Sequence, residues 1–97
     1  MNYKLKIRHS VLNEASKIHD WYESPSKGLG GRFADTLEEC LRGIQRNPKG
    51  SQLRKGKFRH DLVPRFPCRV VFTIDGDTVY VYQIRHTSRR PSKQFGP

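Results

Sequence analysis

Residues 69–84 read Arg69-Val70-Val71-Phe72-Thr73-Ile74-Asp75-Gly76-Asp77-Thr78-Val79-Tyr80-Val81-Tyr82-Gln83-Ile84, two runs of β-branched and aromatic residues joined by Asp-Gly-Asp. That pattern is a β-hairpin: branched and aromatic side chains pack well on a pleated surface, and glycine between two aspartates accepts the backbone reversal. The second run contains a phase slip. Val79 and Val81 share one face of an ideal strand, whereas Ile84 and His86 share the other. A β-bulge near Tyr82-Gln83 would reconcile them.

Upstream of the hairpin, Pro64-Arg65-Phe66-Pro67 turns the chain, and the residues before it alternate, Phe58, His60 and Leu62 on one face and Arg59, Asp61 and Val63 on the other. Read as packing, the set with Phe58, His60 and Leu62 faces the core. Further back, Leu29, Phe33, Leu37, Leu41 and Ile44 recur at helical spacing until Asn47-Pro48, which predicts a helix over 29–46. Val11, Ala15, Ile18 and Trp21 or Tyr22 predict an earlier helix, capped by Ser10 and ending near Tyr22 before the breaker Ser24-Pro25-Ser26-Lys27-Gly28. Tyr3, Leu5 and Ile7 alternate with Lys4, Lys6 and Arg8, a strand over 3–8. The expected fold is α+β in the order β-α-α-β-β-β. An N-terminal helical hairpin packs on one face of a small, mostly antiparallel four-stranded sheet, leaving the opposite face open.

The 97 residues form one domain, 1–97, with a basic tail at 88–97, because a second core needs a chain nearer roughly 200 residues. Only 34% of residues are hydrophobic, so the core is small. Lys and Arg number 19 against 9 Asp and Glu, a formal net charge of +10 with a sequence pI near 10.1. Residues 1–50 carry net +3 and residues 51–97 net +7, which places the partner-facing surface in the second half. Such a surface attracts polyanions or acidic proteins.

Two cysteines, Cys40 and Cys68, lie outside any Cys-x-x-Cys or zinc-ligand spacing, which points to the cytoplasm and predicts no metal site. No phosphate-cradling glycine loop or cofactor motif is present. Neither a signal peptide nor a membrane-spanning run is expected. Cys40 reads as a small core residue, Cys68 lacks a visible base to activate it, and Trp21-Tyr22 reads as packing rather than a base-stacking platform.

Four segments carry a likeness to a known family: Gly28-Leu29-Gly30-Gly31-Arg32-Phe33, Ile44-Gln45-Arg46-Asn47-Pro48, Arg65-Phe66-Pro67-Cys68-Arg69-Val70-Val71-Phe72, and Ile84-Arg85-His86-Thr87-Ser88-Arg89-Arg90-Pro91. In this order and spacing the chain resembles the RelE/ParE superfamily of toxins from type II toxin-antitoxin pairs. Phe66-Pro67-x-Arg69 and His86-x-x-Arg89 look like the ParE branch, often named plasmid stabilisation proteins. That likeness implies a toxin that arrests growth by poisoning DNA gyrase and is neutralised by a cognate antitoxin, as a homodimer or a hetero-oligomer with the antitoxin. Binding to the target or to phosphate would fall to Arg59, Arg65, Arg69, Arg85, Arg89, Arg90 and Lys93.

The RelE branch implies an alternative, an mRNA endoribonuclease acting on the ribosome. Those enzymes typically carry a late Tyr, or a Glu and His; this chain has no Tyr after Tyr82 and no Glu after Glu39. Metal-free RNA cleavage needs one proton removed, one donated, and charge stabilised on phosphorane oxygens. His86 would serve as acid or base, Arg69 would hold the phosphate, and His60 or Tyr82 would carry the second proton. A basic nucleic-acid-binding domain with no toxic effect is the third reading. A run of cations at Arg54, Lys55, Lys57 and Arg59 fits phosphate binding or the blunting of a sheet edge equally well.

Overall fold

The computed structural model describes residues 3–86. In chain order the elements are β1 (Lys4–Ile7), α1 (His9–Glu23), α2 (Leu29–Arg46), a single 3₁₀ turn (Pro48–Gly50), β2 (Gln52–Lys55), β3 (Phe58–Val63), β4 (Cys68–Asp75) and β5 (Thr78–His86). They build one sheet in the order β1-β5-β4-β3-β2. β1 runs parallel to β5, as the intervening helices allow, and all other pairs are antiparallel. The α+β class and helical hairpin are as expected, but the sheet has five strands rather than four. The additional strand is β2, whose residues are all exposed. With no buried face it has no apolar alternation to read, and it forms through backbone pairing with β3 alone.

The β4–β5 hairpin turns through Gly76-Asp77, with Asp75 paired to Thr78 and Gly76 at φ 62°, a left-handed value that glycine adopts without strain. Along β5 the register shifts: Val71 pairs with Gln83 while Phe72 pairs with Val81, so Tyr82 is the extra residue of a bulge. That insertion puts Val79, Val81, Ile84 and His86 all on the helix side, where each is 2% exposed or less. Against them pack Val11 and Ile18 of α1 and Phe33, Leu37, Cys40 and Ile44 of α2. Each fully buried large apolar side chain here contributes about 1.5–3 kcal/mol.

The first helix starts without the expected Ser10 cap. Arg8 is the N-cap residue and makes no side-chain capping bond, while Ser10 already lies inside the helix. The reason is that Arg8 N–H still donates to Val81 of the sheet and its carbonyl accepts from Val11 N–H, so strand passes into helix with no intervening residue. α2 is capped from outside itself. Glu23, at the end of α1, accepts hydrogen bonds from Gly28 N–H at 2.9 Å and Gly30 N–H at 3.0 Å. Bonds from Gly28, Gly30 and Gly31, with the Gly28 bond strongest, hold the Glu23 carboxyl below the usual carboxylate range, against an opposing effect of burial.

Gly30 is where the two helices come closest: a Cβ there would sit 2.6 Å from the His19 carbonyl oxygen. Gly31 has open space at the same position. Gly30→Ala is therefore expected to destabilise the chain by about 1–3 kcal/mol, and Gly31→Ala to stabilise it by about 0.5–1 kcal/mol through helix propensity, read as opposite shifts in urea midpoint. The Glu23 contribution follows from a folded pKa below the unfolded one. It is complete above the ordinary carboxylate pKa and lost as pH falls through the depressed value. Wild type should exceed Glu23→Gln in urea midpoint at neutral pH, and the gap should close on acidification.

Candidate functional site

The register that sends Val63, Cys68 and His86 toward the helices sends their neighbours the other way. Leu62, Arg69 and Arg85 form one cross-strand row on the uncovered face, and His60, Val71 and Gln83 form the next. Leu62 is 63% exposed. Arg69 and Arg85 stand directly opposite one another, an arrangement of like charges that works against sheet pairing. His60 pairs across β2 with Gln52 and across β4 with Val71. Its pKa is lowered first by burial and then by the positive charges of Arg54, Arg69 and Arg85. The Nδ1 atom of His60 is buried and has no hydrogen-bond partner. Along the same face, Phe58 meets Tyr82 edge-on with ring centroids 5.5 Å apart, and the Arg8 guanidinium lies 5.4 Å from the Tyr82 ring centre.

The face expected to be buried in β3 is thus the open one. Arg59 and Asp61 share the helix side with Val63, at the sheet margin beyond full helical cover. There Arg59 donates to the Ser51 carbonyl at 2.7 Å and the Lys49 carbonyl at 3.3 Å, so it ties down the segment before β2 and stands away from the row of Arg69 and Arg85. Arg65 adopts φ 69° in the β3–β4 turn and lines a separate groove with Phe66, Leu29 and Arg32. Arg89, Arg90 and Lys93 lie outside the described residues.

His86, expected to work with Arg69, lies on the opposite face. It is 1% exposed, hydrogen-bonded through Nε2 to the Tyr22 hydroxyl, with its ring centroid 5.3 Å from those of both Trp21 and Tyr22. The bulge at Tyr82, which the phase slip marks in the sequence, puts His86 on the face of Val79 and Val81, and the helices cover that face. The imidazole next to Arg69 is that of His60. Alternation along β3 set His60 apart from Arg59 and Asp61 without saying which set lay open, and no sequence pattern pointed to Arg8 over Tyr82. Burial pushes the thiols of Cys40 and Cys68 up to about 12, so neither is a ready nucleophile. Among the described residues no group of three or more His, Cys, Asp or Glu could hold a metal ion, and no helix is long and apolar enough to cross a membrane.

A helical hairpin on one face of a mixed five-stranded sheet, with guanidinium groups on the other, defines a small basic α+β domain. Residues 5–91 match the family described as ParE toxin of type II toxin-antitoxin system, parDE, and the chain belongs to that family. In structure it is similar to a chain of the chromosomal ParDE toxin-antitoxin system from P. aeruginosa, with TM-score 0.77 and 15% identity over 87% of this chain and 95% of that one. It is also similar to a mutant of the E. coli toxin RelE in the free state, with arginines replaced by alanine, at TM-score 0.66 and 18% identity over 90% of this chain and 85% of that one. At these identities the likeness is one of fold. No curated protein matches in sequence.

His86 is packed between the helical hairpin and the sheet, so its replacement is felt in stability. His86→Ala is expected to cost about 2–5 kcal/mol, as for other large-to-small changes in a core, and Tyr22→Phe about 1–3 kcal/mol by leaving an imidazole nitrogen unpaired. Arg69→Ala should be neutral or stabilising, since it removes a like-charge neighbour. Urea denaturation of the three variants checks the ordering.

Proposed function

We propose that this ParE-family toxin arrests bacterial growth by binding DNA gyrase in the cytoplasm, and that a cognate antitoxin neutralises it in a hetero-oligomer. The observation that carries the reading is the separation of His86 from Arg69 by the thickness of the sheet. Of the groups expected to share in RNA cleavage, His86 as acid or base and Arg69 as phosphate holder do not meet, which leaves at most one of the two expected imidazoles on the open face. What remains on the open face is an array of cations held on rigid strands, suited to contact with a large target engaged on DNA. A charge of +10 on so small a chain also invites an antitoxin segment rich in Asp and Glu.

One observation favours the ribosome-dependent endoribonuclease as a second reading: His60 stands beside Arg69 and Arg85, and Tyr82 is on the same face. Purified toxin should inhibit supercoiling by gyrase and leave mRNA on translating ribosomes intact, with inhibition weakened by Arg69→Ala. Cleaved mRNA with unaffected supercoiling, and loss of cleavage on His60→Gln, would establish the nuclease in its place.

A further inference from the structure

We propose that the groove between α2 and the β3–β4 turn is the contact between two copies of this chain, which pair as a twofold dimer with their α2 helices antiparallel. The inference does not depend on which target the toxin binds.

The groove, of about 370 Å³, is separate from the open sheet face. Its floor is apolar: Leu29 and Phe66 are half-buried, and Phe66 is held by ring contacts with Tyr22 at 5.0 Å and Phe33 at 5.3 Å. Around that floor stand two cations, Arg32 and Arg65, and two acids, Asp35 and Glu39. All four are exposed, and among the described residues none of them joins an ion pair, although Glu38 and Arg42 on the next face of the same helix meet at 2.8 Å. Arg65 is also the one non-glycine residue among those described with a left-handed backbone, at φ 69°. That conformation is disfavoured for a residue with a side chain, and here it belongs to a guanidinium on the rim of the groove.

The order of the charges selects the occupant. A polyanion or acidic peptide drawn to Arg32 and Arg65 would also face Asp35 and Glu39, and a cationic segment would meet the reverse conflict. A surface that carries both signs in a fixed order is matched by the same surface turned end to end, which a twofold copy supplies. The spacing on α2 meets that condition. Arg32, Thr36, Glu39 and Gly43 recur at i, i+4, i+7 and i+11, one stripe along the helix. A twofold axis crossing α2 between Asp35 and Thr36 sets Arg32 of each copy opposite Glu39 of the other, two ion pairs related by symmetry and each about 5 Å along the helix from the axis. Thr36 at the centre is small, and Gly43 has open space where a Cβ would stand, so the two helices can approach closely.

The remaining charge does not forbid the pairing. α2 carries Arg32, Arg42 and Arg46 against Asp35, Glu38 and Glu39, so it is neutral on a chain of net charge +10. The cations of the open face lie beyond the sheet from α2 and are screened at physiological salt, where the Debye length is about 8 Å. One helix pair with its flanking turn buries less than the roughly 1,200–2,000 Å² of stable complexes. The dimer is therefore weak, with a dissociation constant of about 100 μM.

Sedimentation equilibrium of the full chain up to about 500 μM, at about 150 mM salt, tests this. Wild type should show a reversible monomer–dimer equilibrium. Arg32→Glu and Glu39→Arg each place like charges at both contacts and should weaken self-association by about tenfold or more. Both residues are exposed, so neither change disturbs the core. Mixed in equal amounts, the two variants face each other with opposite charges at both contacts. The mixture, and likewise the double variant Arg32→Glu/Glu39→Arg alone, should associate within about threefold of wild type. A wild-type chain that stays monomeric throughout, single variants that dimerise as well as wild type, or a mixture that fails to associate would each overturn the proposal.

Discussion

Tyr82 has no cross-strand partner, and the facing of β5 depends on that one extra residue. In an unbroken strand starting at Thr78, with Val79 and Val81 inward, the next inward positions would be Gln83 and Arg85, while Ile84 and His86 would face water. A guanidinium pressed against α1 without a partner would cost several kcal/mol, and the burial of Ile84 would be lost as well. The bulge avoids both penalties. It gives Ile84 and His86 to the helical hairpin and Arg85 to the open face, beside Arg69. The core and the charge of the open face are therefore set by the same local irregularity, and neither could be moved without the other.

The helix side is held together by contacts that reach across elements. Glu23 belongs to α1 but satisfies the first amides of α2. Gly30 lets the two helix backbones approach, and Tyr22 near the end of α1 bonds His86 at the end of β5. Trp21, Tyr22, Phe33, Phe66 and His86 make a continuous set of ring contacts between the helical hairpin and the sheet. This cluster lies where the described part of the chain ends. It holds the His86 side chain on the covered face, the opposite side from Arg69 and Arg85.

How much of this was legible in the sequence varied with how directly each feature is written in apolar spacing. The hairpin, its Gly76 turn and the bulge were readable, because β-branched runs, an Asp-Gly-Asp and a phase slip have few other meanings. The second helix was readable from Leu29 to Ile44. β2 was not, since a strand exposed along its length leaves no pattern. The facing of β3 was misread for a related reason. Phe58, His60 and Leu62 look more apolar than Arg59, Asp61 and Val63, but Arg59 and Asp61 sit at the sheet margin, where polar side chains bond the Ser51 segment. Alternation gave the two sets; only the placement of the helices decided which was covered. The same gap hid that His60, of the two histidines expected in the site, is the one beside Arg69.

Stability and binding pull in opposite directions on the open face. Opposed arginines, an imidazole nitrogen without a partner and a leucine left in water each make the isolated fold less stable than a neutral face would. With only 34% hydrophobic residues there is little core stability to offset such costs. A ligand that neutralises the arginines removes the repulsion and adds its binding free energy to the folded state, which alone presents the cluster. The positive charge that the register of β4 and β5 concentrates thus costs the isolated fold stability, and any anion that neutralised it would give that stability back.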